Sequence, residues 1–290
     1  MMKHILMAPL MSEKIGLIAG NGQFPFLVLD SAREQNVEIV VAAIKEEAAP
    51  EIESAGFPVH WLRLGELGKL IRVFRKAGVS KAIMAGQVKH AQIFSSGIPD
   101  LTMIKMLAGL KQKNTDSLIG GVARVLEENG ITLLASSTLI EPHLAAPGKL
   151  TRRGLNKSEQ EDVEYGRPIA CEIAGMDIGQ TIVVRNRAVV AVEAMEGTDE
   201  TMLRAGELAR KKDMTVIKVS KPKQDMRFDI PVIGISTVDV MIACGATALI
   251  IDAGRTLVFD KEAVRQKADK NGIAIVALPV NVGAVYEPPL

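Results

Sequence analysis

The sequence predicts an α/β protein of two domains, a parallel-sheet N-terminal half and a distinct mixed α/β C-terminal half. Three observations predict it. Strand-like and helix-like patterns alternate from residue 14 to residue 136. A stretch at 145–167, PGKLTRRGLNKSEQEDVEYGRP with its flanks, interrupts them with charge, glycine and proline. Strand and helix patterns then resume with a hairpin signal among them. At 290 residues and 48% hydrophobic, the chain is long enough for two cores of ordinary size.

The elements follow in order. KIGLIAG (14–20) is a short apolar run ending in glycine, the pattern of a buried parallel strand. FPFLVLDSAREQN (24–36) reads as a helix, and VEIVVAAI (37–44) and VHWLRL (59–64) as strands two and three. ELGKLIRVFRKAG (66–78) places apolar residues at 67, 70, 71 and 74, one helical face, and stops at Gly78. KAIMAG (81–86) is a fourth strand. Asp116 precedes a helix over 117–130, and ITLLAS (131–136) is a fifth strand. Repeated β-α-β with short links implies a parallel, Rossmann-like sheet covered on both faces. We place the domains at 14–145 and 146–283.

The second half is expected to open with a helix at about 158–175. TIVVRNRAVVAVEA (181–194) reads as a hairpin turning at Arg185-Asn186-Arg187. A helix over 199–212 follows, then strands at 215–219, 232–236, 248–252 and 273–278, with helices at 238–244 and 261–271. No internal repeat or low-complexity segment is present.

Composition removes several function classes. A net charge of +1 and 3% aromatic residues argue against a nucleic-acid surface. Cys171 and Cys244 stand alone, without CxxC or a nearby His, so neither a zinc site nor a disulfide framework is expected, and a reducing, cytoplasmic compartment is the simple reading. No apolar run is long enough to span a bilayer, and MMKHILMAPL reads as too short and too weakly apolar for a signal peptide. Residues 1–13 are set aside from the fold.

Five segments could carry chemistry. In GLIAGNGQFP (16–25), Gly20, Asn21 and Gly22 let the backbone turn into a helix start whose free N–H groups suit an anion. A dinucleotide fingerprint is incomplete: residue 25 is Pro, and the acid after strand two, Glu46, comes late. A tight βα turn without ligand is the alternative. LGELGK (64–69) offers a similar junction with Lys69 one turn in, or an ordinary capped helix start. AGQVKH (85–90) ends the fourth strand with Gly86, Gln87, Val88 and Lys89. All three lie at carboxyl ends of parallel strands, where open α/β sheets bind ligands.

In VEAMEGTDETM (192–202), Glu193, Glu196 and Asp199 surround Gly197 and Thr198 at a strand-to-helix junction. Such oxygen clusters suit a hard cation such as Mg²⁺; equally, Thr198-Asp199 could simply cap the helix. KVSKPKQDMRFDIPVIGIST (218–237) sets Lys218, Lys221, Lys223 and Arg227 beside Asp225 and Asp229 and runs on to Thr237. Cations there could hold a diphosphate while a carboxylate holds a metal or orients water; a charged loop is the alternative. Together the segments suggest a diphosphate site at a cleft between the domains. No GxxxxGK[ST] or HExxH is present.

GLIAGNGQFP, GELGK, AGQVK, AVEAMEGTDETML, KPKQDMRFDIPVIGIST and LIIDAGRTLVFDKEAV, in this order, resemble the I-type UDP-2,3-diacylglucosamine pyrophosphatases (LpxI family) of lipid A biosynthesis, over about residues 14–283. The resemblance implies hydrolysis of UDP-2,3-diacylglucosamine to UMP and 2,3-diacylglucosamine 1-phosphate with a divalent cation, usually Mg²⁺. It places the essential aspartate of the R-x-D-x-P segment at Asp229, with Asp199 and Arg227 beside it as catalytic candidates and Glu196 as a second metal ligand. Gly20, Asn21, Gly22, Lys69, Gly86, Gln87, Val88, Lys89, Glu193, Gly197, Thr198, Lys221 and Thr237 become substrate-binding candidates. Asp252 departs from the family, which commonly carries Glu there. An apolar channel for the acyl chains is expected, which the mean hydropathy of +0.18 permits. Peripheral contact with the inner membrane and a homodimer are compatible with the resemblance. Two other classes remain open: a Rossmann-type nucleotide-sugar or NAD-dependent enzyme, and a non-catalytic lipid-phosphate binding module.

Overall fold

A computed structural model of the chain describes residues 14–88, 99–110, 115–222 and 224–280. It divides into two compact units, residues 1–140 and 141–290.

In the first unit β1 (Ile15–Ala19), β2 (Ile39–Ile44), β3 (Val59–Leu62), β4 (Lys81–Ala85) and β5 (Thr132–Leu133) form one sheet in the order β3-β2-β1-β4-β5. Every pairing is parallel. Each residue of β1 and β2 is buried, so both faces are covered, as uninterrupted apolar runs require. The helices are α1 (Phe24–Glu34), α2 (Leu67–Ala77), α3 (Leu101–Ala108) and α4 (Thr115–Glu128). Leu70, Ile71 and Phe74 of α2 pack with Ile18, Val40 and Ala42 of the sheet and with Ala123 and Leu126 of α4. Gly16 makes room for this layer: a Cβ there would stand 2.6 Å from the Phe74 ring.

In the second unit β6 (Gly148–Lys149), β7 (Thr181–Arg185), β8 (Ala188–Val192), β9 (Met214–Lys218), β11 (Ala246–Asp252) and β13 (Ala274–Leu278) run in the order β6-β13-β11-β9-β7-β8. The three central strands are parallel, and β6, β7 and β8 join antiparallel. β10 (Val232–Ile233) and β12 (Leu257–Val258) form a separate parallel pair. The sheet alternates strictly. Val183, Val216, Leu249 and Ile251 pack toward α6 (Thr198–Leu208), α7 (Ile235–Cys244) and α8 (Lys261–Lys270), whereas Ile182, Val184, Ile217 and Ile250 pack on α5 (Lys157–Gly175). Gly166 lets α5 lie on the sheet, since a Cβ there would stand 2.6 Å from Val184. The parallel and mixed sheets agree with the expectation, as does the hairpin. Asn186 and Arg187 both take positive φ (51° and 57°), and the buried Asp162 carboxylate accepts the Arg187 amide at 2.6 Å.

Several boundaries differ. The helix expected over 199–212 stops at Leu208, because Arg210 and Lys211 turn into the left-handed region (φ 56° and 53°). The strand expected over 131–136 pairs only at Thr132 and Leu133 before the chain turns at Ala135–Thr138. The strand expected over 232–236 ends at Ile233, and the next helix begins at Ile235 rather than 238, so Thr237 lies in its first turn. α3 was not expected: Met103, Met106 and Leu107 face the core, but the exposed Leu101 and Ile104 blur that stripe in the sequence.

α5 is anchored by an ion pair. Arg153 reaches both Glu159 carboxylate oxygens at 2.8 Å, and Asn156 and Glu159 cap the helix reciprocally. Burial opposes ionisation of Glu159, but Arg153, the Asn156 amide and the Thr247 hydroxyl outweigh it and hold its pKa below the ordinary glutamate value. Glu159→Gln is expected to cost about 2 kcal/mol in urea denaturation, less than a fully buried pair because Arg153 keeps part of its side chain in water. The folded pKa lies below the unfolded one, so the stabilisation is present above the ordinary glutamate pKa and is lost as pH falls through the folded value. The gap between wild type and variant therefore narrows in acid; a gap that widens would refute the pairing.

Candidate functional site

In the first unit the strand order reverses between β1 and β4, the switch point at which such sheets open a crevice. The structure brings two predicted segments together there. Asn21 and Gln87 exchange backbone hydrogen bonds (2.8 and 3.2 Å), and the Gly20 amide donates to Ala85 at 2.8 Å. A Cβ on Gly20 would lie 2.6 Å from the Gln87 carbonyl, and one on Gly86 (φ 89°) would collide with the Asn21 carbonyl. Gly20 and Gly86 are therefore required by each other. Gly22 (φ 88°) is different: nothing crowds it, and it leads into α1, which carries no side-chain cap. Val88 closes this segment; Lys89 lies outside the described residues.

Lys69 sits apart from the switch point, on the helix after the edge strand β3. Its ammonium is paired with Glu66 at 3.0 Å. The α2 N-terminus already holds an anion: Asp100 accepts the Gly68 amide at 2.6 Å through one oxygen and caps α3 through the other, from Met103 at 2.9 Å. Glu46, the late acid after strand two, accepts the Leu64 amide at 3.1 Å.

The second unit gathers a polar cluster at the end of β9. Lys218 donates to the Thr198 hydroxyl at 2.8 Å, and Thr198 donates to Glu193 at 3.0 Å. The other Glu193 oxygen accepts the Gln180 amide at 3.1 Å. Burial drives the Lys218 pKa below the ordinary lysine value, against the opposing fields of Glu193, Asp199 and Asp229. Gly197, with φ 87°, supplies the turn that starts α6 and presents Thr198.

Gln224 closes a turn that ends at Asp229. Gln224 accepts the Lys221 amide at 2.6 Å and donates to the Asp229 carbonyl at 3.0 Å, and the Asp229 amide donates to the Asp225 carbonyl at 3.1 Å. Arg227 forks onto Asp225 (2.9 and 2.6 Å) and holds its carboxyl below the usual range. Lys221 pairs with Asp177 at 2.5 Å. Thr237 accepts the Gly234 amide at 3.2 Å and so caps α7. Lys223 lies outside the described residues.

Glu196 is committed within its own loop. It accepts from Arg204 at 2.6 Å, Thr201 at 3.2 Å and the Ala194 amide at 3.1 Å, and local backbone hydrogen bonding and Arg204 bring its pKa to about 2. Among the described residues, no three His, Cys, Asp or Glu side chains gather to hold a metal ion, so Glu196 and Asp229 do not belong to such a group. The donor set fits Mg²⁺ only in the mode in which one or two carboxylates act together with substrate phosphate oxygens.

Sequence reasoning gave Lys218 no separate role and left Gln224 out. Lys218 was one cation among four in a charged stretch; strand alternation, which puts it on the face of Val216 and α6, was the available signal. Nothing in the sequence marks Gln224. Asp252, the departure from the family, accepts Arg167 at 2.9 Å and the Ser220 amide at 2.7 Å and is buried.

A doubly wound sheet in one unit and a mixed sheet with a carboxylate-lysine cluster in the other define a two-domain α/β protein with polar chemistry at its strand ends. Residues 14–143 match the LpxI N-terminal domain and residues 146–276 the LpxI C-terminal domain. UDP-2,3-diacylglucosamine pyrophosphatase LpxI of Caulobacter vibrioides is 30% identical over 276 residues, covering 92% of this chain and 98% of that protein. The chain belongs to the LpxI family. Two solved structures also match. The biotin carboxylase subunit of a pyruvate carboxylase is 14% identical (69% of this chain, 42% of that one). Phosphoribosylglycinamide synthetase from Anaerococcus prevotii is 10% identical (66% and 42%). At a TM-score of 0.25 neither bears on fold or activity.

If Gly86 serves the fold, Gly86→Ala destabilises the ligand-free protein by ~3 kcal/mol through left-handed strain and collision with Asn21. Chemical denaturation checks this, and wild-type stability in the variant would return Gly86 to a ligand role.

Proposed function

We propose that this protein hydrolyses the diphosphate of UDP-2,3-diacylglucosamine in lipid A biosynthesis, giving UMP and 2,3-diacylglucosamine 1-phosphate (lipid X). The observation that carries this reading is its near full-length relationship to a protein of that activity, across both halves of the chain. The reaction adds water across a P–O–P bridge. One phosphorus gains the hydroxyl, and the departing phosphate takes the proton. Such chemistry needs an acceptor for the water proton and positive charge for the phosphates.

The second unit offers both. Asp229, held at the end of the Gln224-clamped turn, is the carboxylate that orients the attacking water. Asp199, exposed in the first turn of α6, is the second acid. Arg227 neutralises the leaving phosphate by exchanging Asp225 for another anion that fits its fork. Lys221, Thr198, Gly197, Glu193 and Thr237 line the diphosphate. In the first unit, the Gly22 turn and the uncapped start of α1 offer backbone N–H groups to an anion. A Mg²⁺ held by Asp229 together with diphosphate oxygens would supply charge neutralisation. The described residues include no helix long and apolar enough to cross a membrane, so contact with a bilayer carrying the diacyl substrate would be peripheral.

Purified protein with UDP-2,3-diacylglucosamine and Mg²⁺ is expected to release UMP, followed by phosphorus NMR. Asp229→Ala lowers turnover on the order of 10³-fold, the scale of losing a principal electrostatic group. Full turnover in that variant would remove Asp229 from the chemistry. Chelation with EDTA abolishes turnover and excess Mg²⁺ restores it; activity indifferent to EDTA would sink the metal assignment.

A further inference from the structure

β9 ends on a lysine whose place is set by the strand itself. Alternation turns Val216 and Lys218 toward α6, and Lys218 lies opposite Thr181 of β7 in the ladder. Its ammonium meets the Thr198 hydroxyl at 2.8 Å. A hydroxyl has one proton and two lone pairs. The Thr198 proton goes to Glu193, which can only accept as a carboxylate, so Thr198 receives from Lys218 and from Thr181, 3.2 Å away. Thr198 is thereby saturated, and its geometry ties Lys218 to Glu193.

The carboxylates whose fields act on the ammonium come from three separate places: Glu193 after β8, Asp199 in α6 and Asp229 at the end of the 224–229 turn. Stability does not call for a charge here. An ammonium away from water is costly, and an apolar side chain of the same length would fill a strand end at least as well. Glu193 and Asp229 are only partly buried and Asp199 is exposed, so loss of the lysine would not strand a carboxylate in the core.

We propose that Lys218 is a positioning residue of the hydrolytic site, holding Glu193 through the Thr198 hydroxyl beside Asp199, the next residue of α6. This rests on the hydrolytic reading above. Lys218 acts through the acids; it keeps them placed while the diphosphate approaches.

Two variants test it. Lys218→Met keeps the stem and removes the charge. It is expected to melt at or above the wild-type temperature while kcat falls ~100-fold, the scale of removing one preorganised electrostatic group, with KM little changed. Lys218→Ala leaves room for a small amine, and ethylammonium in the assay is expected to restore a measurable part of kcat. Wild-type turnover in folded Lys218→Met overturns the assignment, as does a loss in Lys218→Ala that no amine relieves. The wild-type chain is assayed alongside. If it leaves UDP-2,3-diacylglucosamine intact, the hydrolytic reading falls and this assignment with it. An active wild type with equally active variants removes only Lys218.

Discussion

One ammonium group organises the polar end of the second unit. Lys218 is short of water, donates to Thr198 and lies in the field of three carboxylates, and the segments around it are shaped to keep that so. Gly197 turns with positive φ to start α6 where Thr198 reaches back. Gly179 lies so close to the Glu193 carbonyl that no side chain would fit, which fixes the strand carrying Glu193 against the one carrying Gln180 and Thr181. Gln224 clamps the turn that ends at Asp229. A partly desolvated charge tolerates little movement of its partners, so each of these local choices supports the others.

The first unit shows the converse. Features that resemble anion sites in sequence are partly satisfied by the protein. Asp100 supplies the negative charge that the α2 N-terminus favours, and Glu66 supplies the partner of Lys69. Gly20 and Gly86 permit two strand ends to hydrogen-bond to each other. What remains open is the Gly22 turn and the uncapped start of α1, at the place where the strand order reverses. Of Gly20, Asn21 and Gly22, Gly22 is the one left with open space for an anion.

Legibility followed the range of the interaction. β1, β2 and the hairpin at Asn186-Arg187 were readable because burial on both faces and a two-residue left-handed turn each leave a local pattern. α3 was not, because its cap, Asp100, serves two helices and its apolar residues divide between the core (Met103, Met106, Leu107) and solvent (Leu101, Ile104). The acids of the site were legible as residue types near glycines. Their uses were not: Glu196 and Arg227 are each held by a neighbour within their own segment, and that depends on where flexible side chains settle.

By itself, the sequence determined the α/β class, the parallel sheet, the mixed second sheet and the family, because alternation, glycine turns and ordered motifs are properties of short stretches. Only the tertiary structure decided that Lys218 lies in the field of Glu193, Asp199 and Asp229, that Asp252 is tied to Arg167, and that Gly20 needs Gly86. Those pairings join residues 11 to 85 positions apart or bring segments together across a sheet. Electrostatics and close backbone contact act through space, and no spacing along the chain records them.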